Sequence, residues 1–454
     1  MKKKKKNYNI KRALTLKNNI LKHNNKINLP ETQNIKFKKT NFYDDVEILK
    51  FDYNLINYKI DLQSDDLLKG KKIKDTFVKT IKVQLFPNLK QKKMLIDWMD
   101  TWITMYNKVL SIIKEERKKQ SEKLKKSLKY NEIELKNISL NKLKKDLKEF
   151  KQKLIVKSKI DSHTLDYCIN DALNSLSSSI SNLNNGHCKK SRLRFLKKTK
   201  KNKIIKLENS AMTPTSFCIS RMGQYMKTKK KINFKKMVEG TCIIQQINNK
   251  FYILIKKKNL KVKKHKYKQQ KIISLDPGHR TFLSGLSNDH LLEIGNGVDK
   301  KIKKGLLKID KIKSLKKIKN KRRKLLKREK DLKNYVNNLQ WKITHHLVKN
   351  YNHILLGNYS TKSMVESNKT NDMTKRIGSY LRFYQFREKL KYKCLLNDCK
   401  MAIIDEYNTT KSCSNCSCLN DIGSSKEYNC QGCNKKYPRD INSSKNILIN
   451  GIVN

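Results

Sequence analysis

The chain has 454 residues, which is room for two to four domains of about 100–200 residues each. It carries 106 Lys and Arg against 39 Asp and Glu, and a formal net charge of +67 requires a polyanionic partner to relieve self-repulsion. At 37% hydrophobic residues the chain is too apolar for complete disorder, and without a run of 18 apolar residues it predicts neither a membrane span nor a secretory signal.

The first 75 residues are rich in Lys and Asn and only weakly periodic, so we expect a basic, flexible N-terminal arm. Five consecutive lysines at positions 2–6 are typical of a nuclear import signal. Seven of the eleven cysteines follow position 393, and the tightest group has metal-binding rather than disulfide spacing, which indicates an intracellular protein. Phosphate-backbone binding is the expected role of the excess charge.

The pattern sharpens between residues 76 and 268. A β-branched strand ends at Pro87, and apolar residues at helical spacing follow, among them Trp98 and Trp102, which we assign to a helix core rather than to base stacking. The predicted strands are 76–86, 241–246 and 251–255, and the predicted helices are 91–113, 114–156 (more than one) and 161–183. The lysine-rich stretch 256–271 is the expected linker.

From residue 272 onward, strands alternate with helices as in an α/β domain. The predicted strands are 272–276, 281–286, 291–294, 353–356 and 401–405, and the predicted helices are 300–350 (one or two), 376–399 and 440–450. A cysteine-rich insert separates the last strand from the closing helix.

Four cysteines of this insert have the spacing of a structural zinc site. The pairs are Cys413-x-x-Cys416 and Cys430-x-x-Cys433, and two such turns surround one Zn²⁺ tetrahedrally. Because thiolates fill all four positions, the zinc would stabilise a small segment rather than take part in catalysis. Cys418 lies outside the spacing.

Two acidic residues are candidates for a second metal site. Asp276 ends an apolar strand and precedes Pro277-Gly278, and Asp440 opens the closing helix just beyond the cysteines. A turn residue and a helix N-cap are the structural alternatives. If the two carboxylates meet with a third, they provide the hard oxygen ligands for two Mg²⁺ ions about 4 Å apart, the arrangement that cleaves phosphodiesters.

These segments resemble a known family. Asp276-Pro277-Gly278, the ribbon entry 409–416 and Arg439-Asp440-Ile441-Asn442 are similar to the RuvC-like core of the TnpB/Fanzor proteins, which are transposon-encoded, RNA-guided DNA endonucleases. The helix 386–393 and the segments 85–91 and 106–107 also resemble the family. The resemblance covers residues 76–450 and leaves the first 75 unmatched.

The resemblance implies a multidomain α+β and α/β fold. It comprises an N-terminal wedge-like β-barrel with an inserted helical recognition lobe, followed by an RNase H-like (RuvC) nuclease domain with an inserted zinc ribbon. The expected boundaries are 1–75 for the arm, 76–105 and 189–268 for the two parts of the barrel, 106–188 for the helical lobe, 269–411 for the nuclease core, 412–434 for the ribbon and 435–454 for the closing helix.

The chain departs from the family at the third acid. The bacterial pattern places a Glu after the fourth strand of the core, where this chain has Gly357. The Fanzor branch uses another acid nearer the ribbon, and Glu406 is the favoured candidate. Strand alternation sends its neighbour Asp405 to the opposite face. Glu366 is a more distant candidate, in what reads as a loop, and the remaining alternative is an inactive site.

The resemblance implies guide RNA and target DNA as partners, structural Zn²⁺, and catalytic Mg²⁺ held by Asp276, Glu406 and Asp440. A catalytically inactive RNA-guided DNA-binding protein and a DNA transposase remain alternatives. Cations that are interleaved with apolar residues, or that adjoin an acid, are the candidate nucleic-acid contacts: Lys189, Lys190, Arg192, Arg194 and Arg439.

Overall fold

The structure, a computed structural model, describes residues 2–30, 32, 35–43, 46–52, 77–126, 140–188, 192–199, 202–260, 271–315, 320–368, 370–423 and 425–453. The strands are β1 Lys38–Tyr43, β2 Val46–Asp52, β3 Phe77–Leu85, β4 Asn202–Glu208, β5 Thr241–Ile247, β6 Lys250–Leu260, β7 Ile272–Pro277, β8 Thr281–Ser287, β9 His290–Asn296, β10 His353–Gly357, β11 Lys400–Ile404, β12 Glu427–Asn429 and β13 Lys436–Pro438. The helices are α1 Lys2–His23, α2 Leu89–Lys126, α3 Leu140–Asp146, α4 Lys148–Ser158, α5 Ser162–Asn184, α6 Ile219–Met222, α7 Phe234–Met237, α8 Val298–Ser314, α9 Lys321–Asn350, α10 Thr361–Glu366, α11 Asp372–Leu381, α12 Phe383–Leu396 and α13 Arg439–Val453.

The chain divides into two compact units, one of residues 75–260 and the other of residues 1–74 with 261–454. In the first unit, α2 and α5 pack against a four-stranded antiparallel sheet of order β3-β6-β5-β4. Trp98 and Trp102 are buried in its core, as the helical spacing predicted. The expected β-barrel is not closed among the described residues, because β3 and β4 remain at opposite edges of an open sheet.

The second unit contains a mixed sheet of order β1-β2-β9-β8-β7-β10-β11. The strands β7, β8 and β9 form an antiparallel meander, and β10 runs parallel to both β7 and β11. Helices α8, α9, α11 and α12 share an apolar core with one face of this sheet, and α13 packs on the other. Because both faces of the sheet are covered, nearly every residue of β7, β8 and β10 is buried.

The N-terminal residues differ from the flexible arm that their composition predicted. Helix α1 buries Leu16 and Ile20 against α13, and β2 pairs with β9 and extends the mixed sheet. The apolar residues responsible are few and separated by Lys and Asn, so the sequence pattern is weak although the packing is complete. No helix in the part of the chain that the structure describes is both long and apolar enough to cross a membrane.

Candidate functional site

The carboxyl ends of three parallel strands meet at one edge of the mixed sheet. Asp276 lies near the end of β7, and Gly357 ends β10 beside it, one residue after the pairing of Leu356 with Leu275. Gly357 pairs in turn with Ile404, the last residue of β11. Side chains at and just beyond these strand ends therefore converge, as is usual for sites in α/β sheets.

The carboxylates of Asp276, Glu406 and Asp440 come together at this edge. Burial, followed by the nearby charges of Asp440 and Glu406, raises the pKa of Asp276 well above its usual range. Burial raises the pKa of Glu406 to about 7. Carboxylates that must ionise beside one another in a partly enclosed site repel, and a cation between them would relieve that repulsion.

Glu406 occupies the space that a side chain at position 357 would need. A Cβ built on Gly357 would overlap Oε1 of Glu406 and lie 3.0 Å from its Cγ and Cδ. The same Oε1 is buried without a hydrogen-bond partner among the described residues. The glycine at the end of β10 therefore leaves room for a carboxylate delivered from the end of β11.

The other two candidates for the third acid point elsewhere. Asp405 forms an ion pair with Arg12 of α1, and its Oδ1 also accepts a hydrogen bond from the backbone N of Tyr407 at 3.0 Å. Glu366 is the last residue of α10, although the sequence indicated a loop, and its exposed carboxylate lies 3.9 Å from Nζ of Lys362. Glu406 is the acid that the structure brings to Asp276.

Helix α13 delivers Asp440 from its first turn, one residue inside the helix start rather than at the N-cap. The adjacent Arg439 has its Nε 4.0 Å from Oδ1 of Asp440. Three residues further along the helix, Ser443 hydrogen bonds to the Asp276 carboxylate and lowers its pKa, which partly offsets the effect of burial.

Sequence reasoning missed two titratable neighbours of the site. Burial and the charges of Glu406 and Asp276 raise the pKa of Tyr359 to about 12, so this phenol lies near both acids, and its hydroxyl donates to Sδ of Met364 at 2.9 Å. Burial also lowers the pKa of His279, with Asp440 among the charges it senses. The only sequence signal was their distance of two or three residues from a strand end.

The donor set fits hard divalent cations. Three carboxylates supply oxygen ligands of the type that Mg²⁺ requires, and the unpartnered Oε1 of Glu406 is a buried acceptor without a donor. Among the described residues, the four cysteines are the group whose donor atoms all lie within 4.8 Å of one another, so the three acids form a wider arrangement.

The four cysteines predicted from their spacing converge on one point. The Sγ atoms of Cys413 and Cys433 are 3.7 Å apart, and those of Cys416 and Cys430 are 3.4 Å apart. A tetrahedral zinc with Zn–S bonds of about 2.3 Å requires Sγ separations of about 3.8 Å. The cluster therefore fits zinc, and Cys418 lies outside it.

Helix α13 also holds the ribbon in place. Asn442 accepts a hydrogen bond from the backbone N of Ser414 at 2.9 Å and donates to the backbone O of Ser412 at 2.9 Å. Asn446 donates to the same Ser412 carbonyl and to that of Thr409. One helix thus fixes the position of Asp440, of the ribbon and of the segment that follows Glu406.

Of the candidate nucleic-acid contacts in the first unit, Lys189 and Lys190 lie outside the described residues. Arg192 and Arg194 line a cavity of about 480 Å³ together with Lys114, Arg117 and Lys118 of α2. Five cations around one cavity form a surface suited to phosphate groups. We call these five residues the α2 cation cluster.

Comparison with known proteins gives relatives over most of the chain. A family described as Cas12f1-like, TNB domain, matches residues 383–447, which include α12, β11, the ribbon and the first half of α13. Two TnpB-like proteins of Acanthamoeba polyphaga mimivirus, L770 and R854, are each 28% identical over 395 residues. The matches cover 83% of this chain and 74% and 73% of the relatives.

Among solved structures, a Cas12f1–sgRNA–target DNA complex aligns with a TM-score of 0.41 and 13% identity, covering 82% of this chain and 99% of that one. The names of these sequence relatives agree with the TnpB/Fanzor resemblance that the motifs indicated. Their viral origin fits the Fanzor branch.

Proposed function

We propose that this chain, a relative of the TnpB-like proteins, is an RNA-guided DNA endonuclease that cleaves phosphodiester bonds with magnesium. The observation that carries the proposal is the meeting of Asp276, Glu406 and Asp440, whose carboxylates come from two strand ends and a helix more than a hundred residues apart at the extremes. Acids that serve only as caps or turn residues have no reason to converge.

In this proposal the three carboxylates hold the ions and set their spacing. Bound magnesium would lower the pKa of an attacking water and neutralise charge on the phosphate. Ser443 lies beside the Asp276 carboxylate and lowers its pKa, which favours the charged form that a cation requires. Glu406 offers Oε1, which makes no other hydrogen bond among the described residues.

Gly357 alone would have favoured the inactive alternative, since glycine supplies no ligand. The position of Glu406 over Gly357 argues against an inactive site, because the carboxylate that is missing at the end of β10 is replaced by one from the end of β11. The pairing of Asp405 with Arg12 also leaves Glu406 as the better candidate of the two.

The partners proposed are a guide RNA and its matching DNA. The net charge of +67 is support for a phosphate-rich ligand, and the α2 cation cluster offers one surface for it. In a guided nuclease, base pairing supplies sequence specificity, and the protein contacts backbone and a short flanking motif. The zinc ribbon would then be a structural module anchored to α13, with the Arg439 guanidinium held by the backbone carbonyls of Gly423 and Ser425 beside Asp440.

The test begins with the RNA that copurifies with the full chain. Sequencing that RNA gives the guide, and DNA matching the guide should be cut in Mg²⁺ and not in chelator. Glu406→Gln should abolish cutting while RNA stays bound, and Glu366→Gln, an exposed acid of the same unit, should cut like wild type. Cutting that persists in Glu406→Gln would reject this assignment of the third acid, and absence of a discrete RNA would reject the guided mechanism.

A further inference from the structure

The N-terminal helix α1, which the family resemblance leaves unmatched, packs directly beside the proposed nuclease site. Leu16 and Ile20 are buried in the core that also contains Ile404 and Ile441. Asn19 adds a hydrogen bond from its Nδ2 to Oδ1 of Asn450 in α13, at 3.2 Å. These contacts fix α1 against α13, in the same apolar core as the end of β11.

Arg12 lies on the same stripe of α1 as the two buried residues. Positions 12, 16 and 20 are four apart, so their side chains project from one face of the helix. With Leu16 and Ile20 buried, Arg12 is directed at the segment that follows β11.

The Arg12 side chain contacts the residues on both sides of Glu406. Its guanidinium forms an ion pair with Asp405, and its Cζ lies 4.9 Å from the centre of the Tyr407 ring. Within the segment, the backbone N of Tyr407 donates to Oδ1 of Asp405 at 3.0 Å. Arg12 and this hydrogen bond therefore hold positions 405 and 407 as one unit.

The backbone of Glu406 is fixed from the other side. Its carbonyl accepts hydrogen bonds from the N and Oγ1 of Thr409, at 3.2 and 3.0 Å. Asn446 of α13 in turn donates to the Thr409 carbonyl at 2.7 Å. Arg12 adds contacts to residues 405 and 407, which flank this fixed backbone.

We propose that Arg12 is a positioning residue for the nuclease site: it holds Asp405 and Tyr407 so that the Glu406 carboxylate lies over Gly357 and faces Asp276. The inference rests on the proposed function. The inference is based on the contacts of Arg12 with Asp405 and Tyr407, the two residues that flank Glu406. Carboxylate placement matters because a displacement of about 1 Å at a catalytic group can cost about a hundredfold in rate.

Because the Arg12–Asp405 ion pair is partly exposed, its role in positioning Glu406 can be distinguished from a role in folding stability. The side chains of Arg12 and Asp405 are 30% and 46% exposed, and ion pairs of that exposure contribute little to folding. Loss of Arg12 should therefore shift the unfolding temperature only slightly. Its effect should instead be found in the affinity for divalent ions.

The experiment uses electron paramagnetic resonance to measure Mn²⁺ binding by the full chain with its RNA and zinc bound. Specific sites are defined as those that are lost in Asp276→Ala. The variants are Arg12→Ala, Arg12→Lys, Asp405→Asn and the double variant Arg12→Ala/Asp405→Asn. Asp405→Asn keeps an Oδ1 acceptor for the Tyr407 N–H and removes the charge that Arg12 pairs with. Lys11→Ala, an exposed neighbour on the same helix, controls for the loss of one positive charge.

We expect Arg12→Ala and Asp405→Asn each to weaken specific Mn²⁺ binding about tenfold, and the double variant to be no weaker than the worse single variant, since both act through one contact. Arg12→Lys should recover part of the affinity, and Lys11→Ala should match wild type. The Mg²⁺ concentration for half-maximal cutting should rise by a similar factor.

Arg12→Ala that binds Mn²⁺ like wild type would overturn the positioning role while leaving the proposed nuclease intact. A lower unfolding temperature with unchanged Mn²⁺ affinity in the folded protein would also overturn it, because Arg12 would then be structural only. Wild type whose Mn²⁺ binding is unaffected by Asp276→Ala would overturn both the positioning role and the proposed site.

Discussion

Gly357 and Glu406 are neighbours at the site, and the absence of a side chain at Gly357 provides the space that the Glu406 carboxylate occupies. A side chain at 357 and the Glu406 carboxylate cannot occupy the same space, so the acid on one strand requires the absence of a side chain on the next. The sequence revealed the missing acid at 357 and favoured Glu406 as its replacement, but it left Asp405 and Glu366 as alternatives. The deciding contacts come from Arg12 and Gly357, which are distant along the chain and adjacent only after folding.

Gly357→Ala should impair cutting, because the added methyl group must displace Glu406. We expect about a hundredfold loss of rate with guide RNA still bound, by the same sensitivity of catalysis to placement. Combining Gly357→Ala with Glu406→Asp shortens the acid by one methylene and should recover part of the rate. Full activity of Gly357→Ala alone would show that the carboxylate has no fixed position above residue 357.

The Glu406 carboxyl predicts a pH dependence of stability in the absence of divalent ions. Burial raises its pKa from 4.5 to about 7, so the folded state binds a proton more tightly than the unfolded state does. This contribution to stability is complete below about pH 4.5 and is lost as the pH rises through about 7. Removing the charge should therefore stabilise the metal-free protein at high pH.

The measurement compares the thermal unfolding of wild type and Glu406→Gln in the presence of a chelator that removes Mg²⁺ but leaves zinc bound to the ribbon. At pH 8 the variant should be more stable by about 3 kcal/mol, and at pH 5 this difference should shrink to about 1 kcal/mol or less. Added Mg²⁺ should stabilise wild type more than the variant. A variant that is less stable than wild type at pH 8 would mean that Glu406 is not in a repulsive, buried setting.

At the scale of elements, periodicity located most of the nuclease-like unit from sequence. The predicted strand 353–356 and the closing helix 440–450 correspond to β10 and α13 within a few residues. Helix α1 was missed because its buried residues, Leu16 and Ile20, are diluted by Lys and Asn. The β-barrel came from the resemblance rather than from a residue pattern, and the described strands of that unit form an open sheet.

The ribbon should depend on its metal, because its own core is little more than the thiols, Tyr428 and Ile422. Cys416→Ser should lose the stoichiometric zinc and loosen the ribbon from α13. Cys418→Ser, a thiol in the same segment but outside the cluster, should keep one zinc per chain. Atomic absorption on the purified proteins measures both, and equal zinc loss in the two variants would contradict the four-cysteine assignment.

The α2 cation cluster should contribute to nucleic-acid affinity through charge. Arg192→Ala/Arg194→Ala should weaken RNA binding and lower the slope of log affinity against log salt by about 2. Lys235→Ala/Lys236→Ala removes the same charge from an exposed helix of the same unit. An identical salt slope for both double variants would indicate that the cluster has no special place in binding.

In the molecule as a whole, acids from distant parts of the chain lie close together because the ends of β7, β10 and β11 and the start of α13 are at the same edge of the mixed sheet. The zinc ribbon and α1 lie against the same helix α13 that delivers Asp440, so the structural and proposed catalytic metals depend on one element. Cysteine spacing was sufficient to predict the first metal. Choosing the acids of the proposed second metal site required tertiary contacts, because the sequence alone does not show which acidic residues lie together in the fold.

The most direct test of the central claim is a structure of the full chain with Mn²⁺, recorded at the manganese absorption edge. Two anomalous peaks about 4 Å apart, bounded by the carboxylates of Asp276, Glu406 and Asp440, are the predicted result. Manganese found elsewhere in the unit, or held without Glu406, would contradict the account.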